Sequence, residues 1–225
     1  AQIDLVANAT ATVQVSSGGF EDAAGNLSTI NSLLFSIEQD GIAPVATMGY
    51  SGSNPTNSEN IDFQLSFDED AQEPSPADFT IVNGSVIGVS GSGASFVVSV
   101  EPENDGSVTI RLDQGVASDV AGNASDASNT VSVEYDGTAP VASIANLTSS
   151  PTNQSNIEFA ISFNEPITGL ETTDLSLTNA TLNNLTIIDN QNATVDVVAI
   201  AHGDVSVVLN QESVSDLAGN PNESP

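Results

Sequence analysis

Apolar and polar residues alternate along most of this chain with a period of two. Ile61, Phe63, Leu65 and Phe67 alternate with Asp62, Gln64 and Ser66, and Ile157, Phe159, Ile161 and Phe163 repeat the pattern. Such alternation is the mark of half-buried β-strands. Between Asp40 and Tyr135 it predicts strands at Val45–Tyr50, Ile61–Phe67, Phe79–Asn83, Val86–Val89, Phe96–Val100, Val108–Leu112 and Thr130–Tyr135. Turn-forming clusters such as Gly52-Ser53-Asn54-Pro55-Thr56-Asn57 and Asn104-Asp105-Gly106 separate them. About seven short strands in fewer than 100 residues predict an antiparallel β-sandwich.

The pattern repeats. Asp-x-Ala-Gly-Asn begins at Asp22, Asp119 and Asp216, a step of 97 residues each time. A period of that length means tandem domains rather than a solenoid. Gly followed by Asn suits a tight turn, since both tolerate positive φ, and the leading Asp places a carboxylate on it. Ala11/Val13/Val15 corresponds to Val108/Ile110/Leu112 and to Val205/Val207/Leu209, and Leu33/Phe35/Ile37 is matched to Val131/Val133/Tyr135. The joint Asp40-Gly41-Ile42-Ala43-Pro44 recurs as Asp136-Gly137-Thr138-Ala139-Pro140. Asp-Gly turns the chain and Pro fixes φ, so each is a short, stiff linker. The expected organisation is the end of one repeat at 1–39, a complete repeat at 40–135, and a repeat at 136–225 without a counterpart of the last strand. Neither end falls at a domain boundary, so the stretch is expected to be a window from a longer array.

Charge changes the picture more than hydropathy does. Thirty acids face one base, Arg111, for a net charge of −29. Nucleic acids and anionic membranes, which need basic patches, are disfavoured as partners, and cations are favoured. There are no cysteines, hence no disulfide and no thiolate metal site. No apolar run approaches the ~20 residues of a membrane span, so membrane insertion is not expected. Aromatic residues are 4% of the chain and Trp is absent, which leaves little to line a sugar site.

In this order the motifs Asp-Gly-x-Ala-Pro, Phe-x-Ile-Ser-Phe-Asn-Glu (Phe159 to Glu165), Thr-Asp-Leu and Asp-x-Ala-Gly-Asn resemble the bacterial Ig-like repeats of large secreted adhesins. The resemblance covers the whole chain. It implies an extracellular or cell-surface location and an extender or stalk role, and many such repeats bind calcium. The chain differs from an animal Ig domain in lacking the cysteine pair and the core tryptophan.

In an Ig-like topology the connecting loops alternate between two poles. Strand order then sends Asp136, Glu165, Asp174 and Asp216 to one pole of the last repeat. Asp40, Glu69, Asp78 and Asp119 go to the same pole of the repeat before it. Clustered carboxylates without a nearby Lys need a cation. Calcium, with six to eight oxygen ligands in flexible geometry, fits such a set better than magnesium or zinc. Asn123 and Asn220 are candidate amide ligands. Across the joint, Glu101, Glu103 and Asp105 make the facing pole acidic, with Asp105 as the candidate ligand. The expected partners are therefore calcium ions and the neighbouring repeats, with a glycan or protein partner left open.

An enzyme is not expected. His202 is the one histidine, in the turn Ala201-His202-Gly203-Asp204, and there is no nucleophile-elbow motif. Arg111 is expected to point to solvent beside an acid. The alternative to a stalk is a ligand-binding module or a filament subunit, which would carry a concave patch in one repeat only.

Overall fold

The computed structural model describes residues 9–14, 16–29 and 34–223. The expected positions Val15 and Leu33 lie outside them. The described secondary structure is β-strand with two single-turn 3-10 helices.

The first repeat builds one sheet from β3 (Ala46–Gly49), β4 (Ile61–Phe67), β7 (Ser95–Pro102) and β6 (Gly84–Ser92), in the order β3-β4-β7-β6. The other sheet is β5 (Phe79–Val82), β8 (Gly106–Leu112) and β9 (Val131–Tyr135), in that order. All pairings are antiparallel. In β4 the four apolar side chains are buried and the three polar ones exposed, as the alternation requires. They pack against Phe96, Val98 and Val100 of β7 and Val108, Ile110, Leu112 and Val133 of the second sheet. Fully burying each such aliphatic side chain contributes roughly 1.5–3 kcal/mol, which is what closes the sandwich.

The second repeat matches it: β10 (Ala142–Asn146), β11 (Asn156–Phe163), β15 (Asn192–Ala199) and β14 (Ala180–Ile187) form the four-stranded sheet β10-β11-β15-β14. Opposite lie β13 (Leu175–Thr178) and β16 (Ser206–Leu209). A short pair, β12 (Ile167–Thr168) with β17 (Ser215–Asp216), brings the end of β11 beside the last Asp-x-Ala-Gly-Asn loop. The second core is built on Phe159, Ile161, Phe163, Val195, Val197 and Leu209. The chain is therefore all-β, in tandem Ig-like sandwiches.

Before them, β1 (Ala9–Val13) pairs antiparallel with β2 (Phe35–Gln39). This pair corrects one alignment. Ile37 faces Ala11 as Val133 faces Val108, so Phe35 and Ile37 correspond to Val131 and Val133, and Gln39 to Tyr135. The match made from the sequence was two residues out of step. A shift of two preserves which face each side chain takes, so alternation alone has no power to detect it.

Candidate functional site

Each Asp-x-Ala-Gly-Asn loop is a self-satisfied turn. Oδ1 of Asp119 accepts the backbone N–H of Gly122 (2.7 Å) and of Asn123 (2.8 Å), and its Oδ2 accepts the Asn123 side-chain amide (2.7 Å). Asp216 does the same with Gly219, Asn220 and the Asn220 side chain, at 2.7, 2.9 and 2.7 Å. Asp22 is held by Asn26 in the same manner. The glycine is required: Gly122 and Gly219 have φ of +93° and +101°, in the region that β-carbons disfavour. The asparagine does not share that conformation, contrary to the expectation that either residue would supply positive φ. Its role is to clamp the aspartate.

That clamp leaves Asp119 and Asp216 buried, each 3% exposed, at the pole where the linker enters. The linker acid arrives beside it through the same asparagine. Asn123 Nδ2 donates to the carbonyl of Asp40 (3.3 Å), and Asn220 Nδ2 donates to that of Asp136 (2.7 Å). The third acid comes from just beyond the long central strand, Glu69 after β4 and Glu165 after β11. The result is two groups, Asp40/Glu69/Asp119 and Asp136/Glu165/Asp216, in each of which one carboxylate oxygen per residue lies within 4.8 Å of the others.

The electrostatics follow from that crowding. Partial burial raises the Glu165 carboxyl above the ordinary Glu value, and the negative charges of Asp136, Asp216 and Asp105 raise it further. Glu69 is raised by loss of solvent and then by Asp40, Asp119 and Asp68. Asp119 moves the other way, because the Asn123 amide stabilises its charged form. In the first group, then, Asp119 is held as an anion and the glutamate beside it resists becoming one.

The remaining expected site residues separate clearly. Asp78 and Asp174 are not in the groups. Each closes a 3-10 turn just before a strand, Pro76–Asp78 and Thr172–Asp174. Asp78 Oδ2 accepts from the N–H (2.6 Å) and hydroxyl of Ser75, and Asp174 Oδ2 accepts from the N–H of Glu171 (2.7 Å). Asn123 and Asn220 are in place, but each turns its amide nitrogen toward the acids. Through those nitrogens they orient the acids.

Asp105 does cross the joint, where it accepts the N–H of Gly137 (2.7 Å) and the Thr138 hydroxyl. Those bonds hold its carboxyl below the ordinary Asp value. Glu101 and Glu103 belong to neither group.

One pair of positions was missed. Asp68 Oδ1 receives the N–H of Val45 (2.7 Å), and Asn164 Oδ1 receives that of Val141 (2.7 Å). They occupy the same place in the two repeats, directly before the glutamates. The shared preference for a short side chain bearing an oxygen was the available signal.

The donor set could hold a hard metal ion. Each acid brings one carboxylate oxygen within 4.8 Å of the other two, and no His or Cys joins them. Waters or backbone carbonyls would complete the shell.

Elsewhere, Arg111 pairs with Asp113 at 3.2 Å on the surface. An open groove of about 610 Å³ lies at the end of the second repeat near Thr152, Ile157, His202 and Val205. In the first repeat β9 runs through the equivalent place, where Tyr135 bridges to Thr56.

The comparison with protein families places the fold. The family model for the bacterial Ig-like domain matches twice, over residues 40–135 and 136–225. Among solved structures, the chain is similar to invasin, a bacterial integrin-binding protein, at 11% identity and a TM-score of 0.45. That match covers 81% of this chain and 40% of invasin's. No curated protein matches.

Proposed function

We propose, from the premise that the chain belongs to the bacterial Ig-like domain family, that it is an extender module of a long surface or secreted adhesin, stiffened by calcium at its joints. The observation that supports this is the recurrence of a three-acid group at the same place in both repeats, beside the linker each time. A site that mattered to one domain alone would have no reason to use the linker aspartate. Because Asp40 and Asp136 lie in the linkers, an ion held by either group ties that linker to the loops of the repeat that follows it.

The role is mechanical. Without a cation, three carboxylates in contact repel one another and push the linker away from the loop and the glutamate. With one, the same carboxylates pull together. The ion supplies charge neutralisation. The protein's own residues fix the geometry: the Asp-x-Ala-Gly-Asn turn holds one carboxylate rigidly, its asparagine holds the linker carbonyl, and β4 or β11 delivers the glutamate. Extracellular modules bind calcium at about 10⁻⁴–10⁻³ M, so such a joint is filled outside the cell.

Small-angle scattering tests this directly. Chelation should shorten the maximum dimension and blur the profile, and millimolar calcium should restore it. Profiles that superimpose with and without calcium would refute the stiffening. The competing reading, a ligand-binding module, has one feature in its favour, the open groove in the second repeat. In the first repeat β9 takes the equivalent path, so the groove is not part of the arrangement that recurs beside each linker, and the extender reading is preferred.

A further inference from the structure

The second linker is gripped from the repeat that precedes it. At the second joint, Asp105 binds Gly137 N–H with one carboxylate oxygen and the Thr138 hydroxyl with the other. Both oxygens are thereby engaged, and Asp105 stands outside the three-acid group. The loop that carries it is itself braced. Asn83, in a left-handed conformation with φ +59°, donates from Nδ2 to the Asn104 carbonyl (2.7 Å) and accepts the Asn104 N–H at Oδ1 (3.1 Å). A second contact crosses the same joint: Asn57 Nδ2 of the first repeat donates to Asn220 Oδ1 (3.1 Å), while Asn220 Nδ2 holds the Asp136 carbonyl.

We infer that Asp105 is a metal-independent latch, which sets the angle between the two complete repeats through hydrogen bonds to Gly137 and Thr138. The latch needs a braced loop on one side and a linker donor on the other, and the second joint has both. The 97-residue period puts Asn8 at the position of Asp105, and the linker alignment puts Ile42 at that of Thr138. The carboxylate and the hydroxyl thus change together between the joints. In the second repeat Asn179, also left-handed at φ +55°, braces the equivalent loop by donating to the carbonyls of Ala201 and Asp204. The residue presented there is His202. The brace is thus retained in the second repeat while the residue presented beside it differs.

The latch itself uses no ion, and its test is made at millimolar calcium, so that the three-acid group holds the linker to the repeat that follows it and only the Asp105 grip is varied. The chain has no cysteine, so spin labels at Val82→Cys and Ile187→Cys, one on each repeat, report the inter-repeat distance cleanly. The expected result is a narrow distance distribution for the otherwise unaltered chain. Asp105→Ala should broaden it, and so should Thr138→Val, which removes the hydroxyl without altering any charge. Amide exchange at Gly137 should quicken about tenfold in Asp105→Ala, the ratio that a net hydrogen bond of about 1.4 kcal/mol sustains.

A broad distribution before any substitution would overturn the latch, as would a distribution that both variants leave unchanged. A calcium titration then separates latch from ligand. Asp105→Ala should keep most of the affinity of the second site, whereas Asp136→Ala should lose it. Equal loss in the two variants would make Asp105 a metal ligand and refute the inference.

Discussion

The two joints hold equal numbers of acids drawn from different sources. Around Glu69 the charges that raise its carboxyl are Asp40, Asp119 and Asp68, all from the linker and the repeat that follows it. Around Glu165 they are Asp136, Asp216 and Asp105, and the last belongs to the repeat before the linker. Where the first joint has Asp68, the second has Asn164, which makes the same bond to the same backbone N–H without the charge. A fourth negative charge can therefore move from one side of a joint to the other while the three-acid group stays the same. The group is set by the repeat's topology, and the fourth acid is free to take on the separate task of fastening the neighbour.

Four experiments bear on that comparison, in order of expected effect. Calcium itself should act most strongly. A site of Kd ~10⁻⁴ M at about 10 mM free ion adds about 2.7 kcal/mol to the state that binds it, a rise on the order of 10 °C in Tm for a domain of this size. Calorimetry should resolve two sites, one per joint. A single site would break the equivalence of the two groups.

Asp216→Ala should come next. It removes three hydrogen bonds to a buried carboxylate and should cost the second repeat roughly 2 kcal/mol, with the first repeat's unfolding unchanged. Denaturant unfolding followed domain by domain by NMR checks this. A loss shared by both repeats would mean that the joint transmits stability between them.

The glutamates should show a smaller, pH-dependent effect. In chelator, the Glu165 carboxyl should titrate above the ordinary Glu value, about 4.3. The folded state then binds its proton more readily than the unfolded one does. Its contribution to stability is present at low pH and is lost as pH rises from the ordinary Glu value through the raised one. Calcium should reverse the shift, because a cation favours the anion. Carboxyl carbon NMR follows both, and a titration midpoint at or below the ordinary value would contradict the crowding.

Asp68→Asn should have the least effect. The amide oxygen should keep the bond to Val45 N–H, as Asn164 does for Val141, so stability should hold within about 0.5 kcal/mol. The Glu69 midpoint should fall slightly toward normal. An unchanged midpoint would mean that Asp68 does not contribute to the field at the first joint.

Much of this was legible in the residues. The three loops were visible because only glycine takes the required φ, so the motif cannot drift. Strand alternation gave β4 its span residue for residue, because both of its faces are strongly constrained. Asp78 and Asp174 misled because an acid before a strand has two uses, ligand and turn cap, and the sequence Ser-Pro-Ala-Asp or Glu-Thr-Thr-Asp serves the second. Asn123 and Asn220 were read as oxygen donors, since an amide side chain carries both an acceptor and a donor and composition does not say which end faces the acids.

The sequence by itself determined that the chain is a tandem of acidic β-sandwiches joined by stiff linkers. Alternation, turn chemistry and a fixed period are local properties, and they survive in the bare string. Only the tertiary structure decided which acids meet. Asp40 and Asp119 stand 79 positions apart in the chain, and contact over such a span depends on strand order and on which end of each strand a loop leaves. The same holds for Asp105, whose partners belong to the linker of another repeat, and for the asparagines, whose orientation is set by a carbonyl more than 80 residues away.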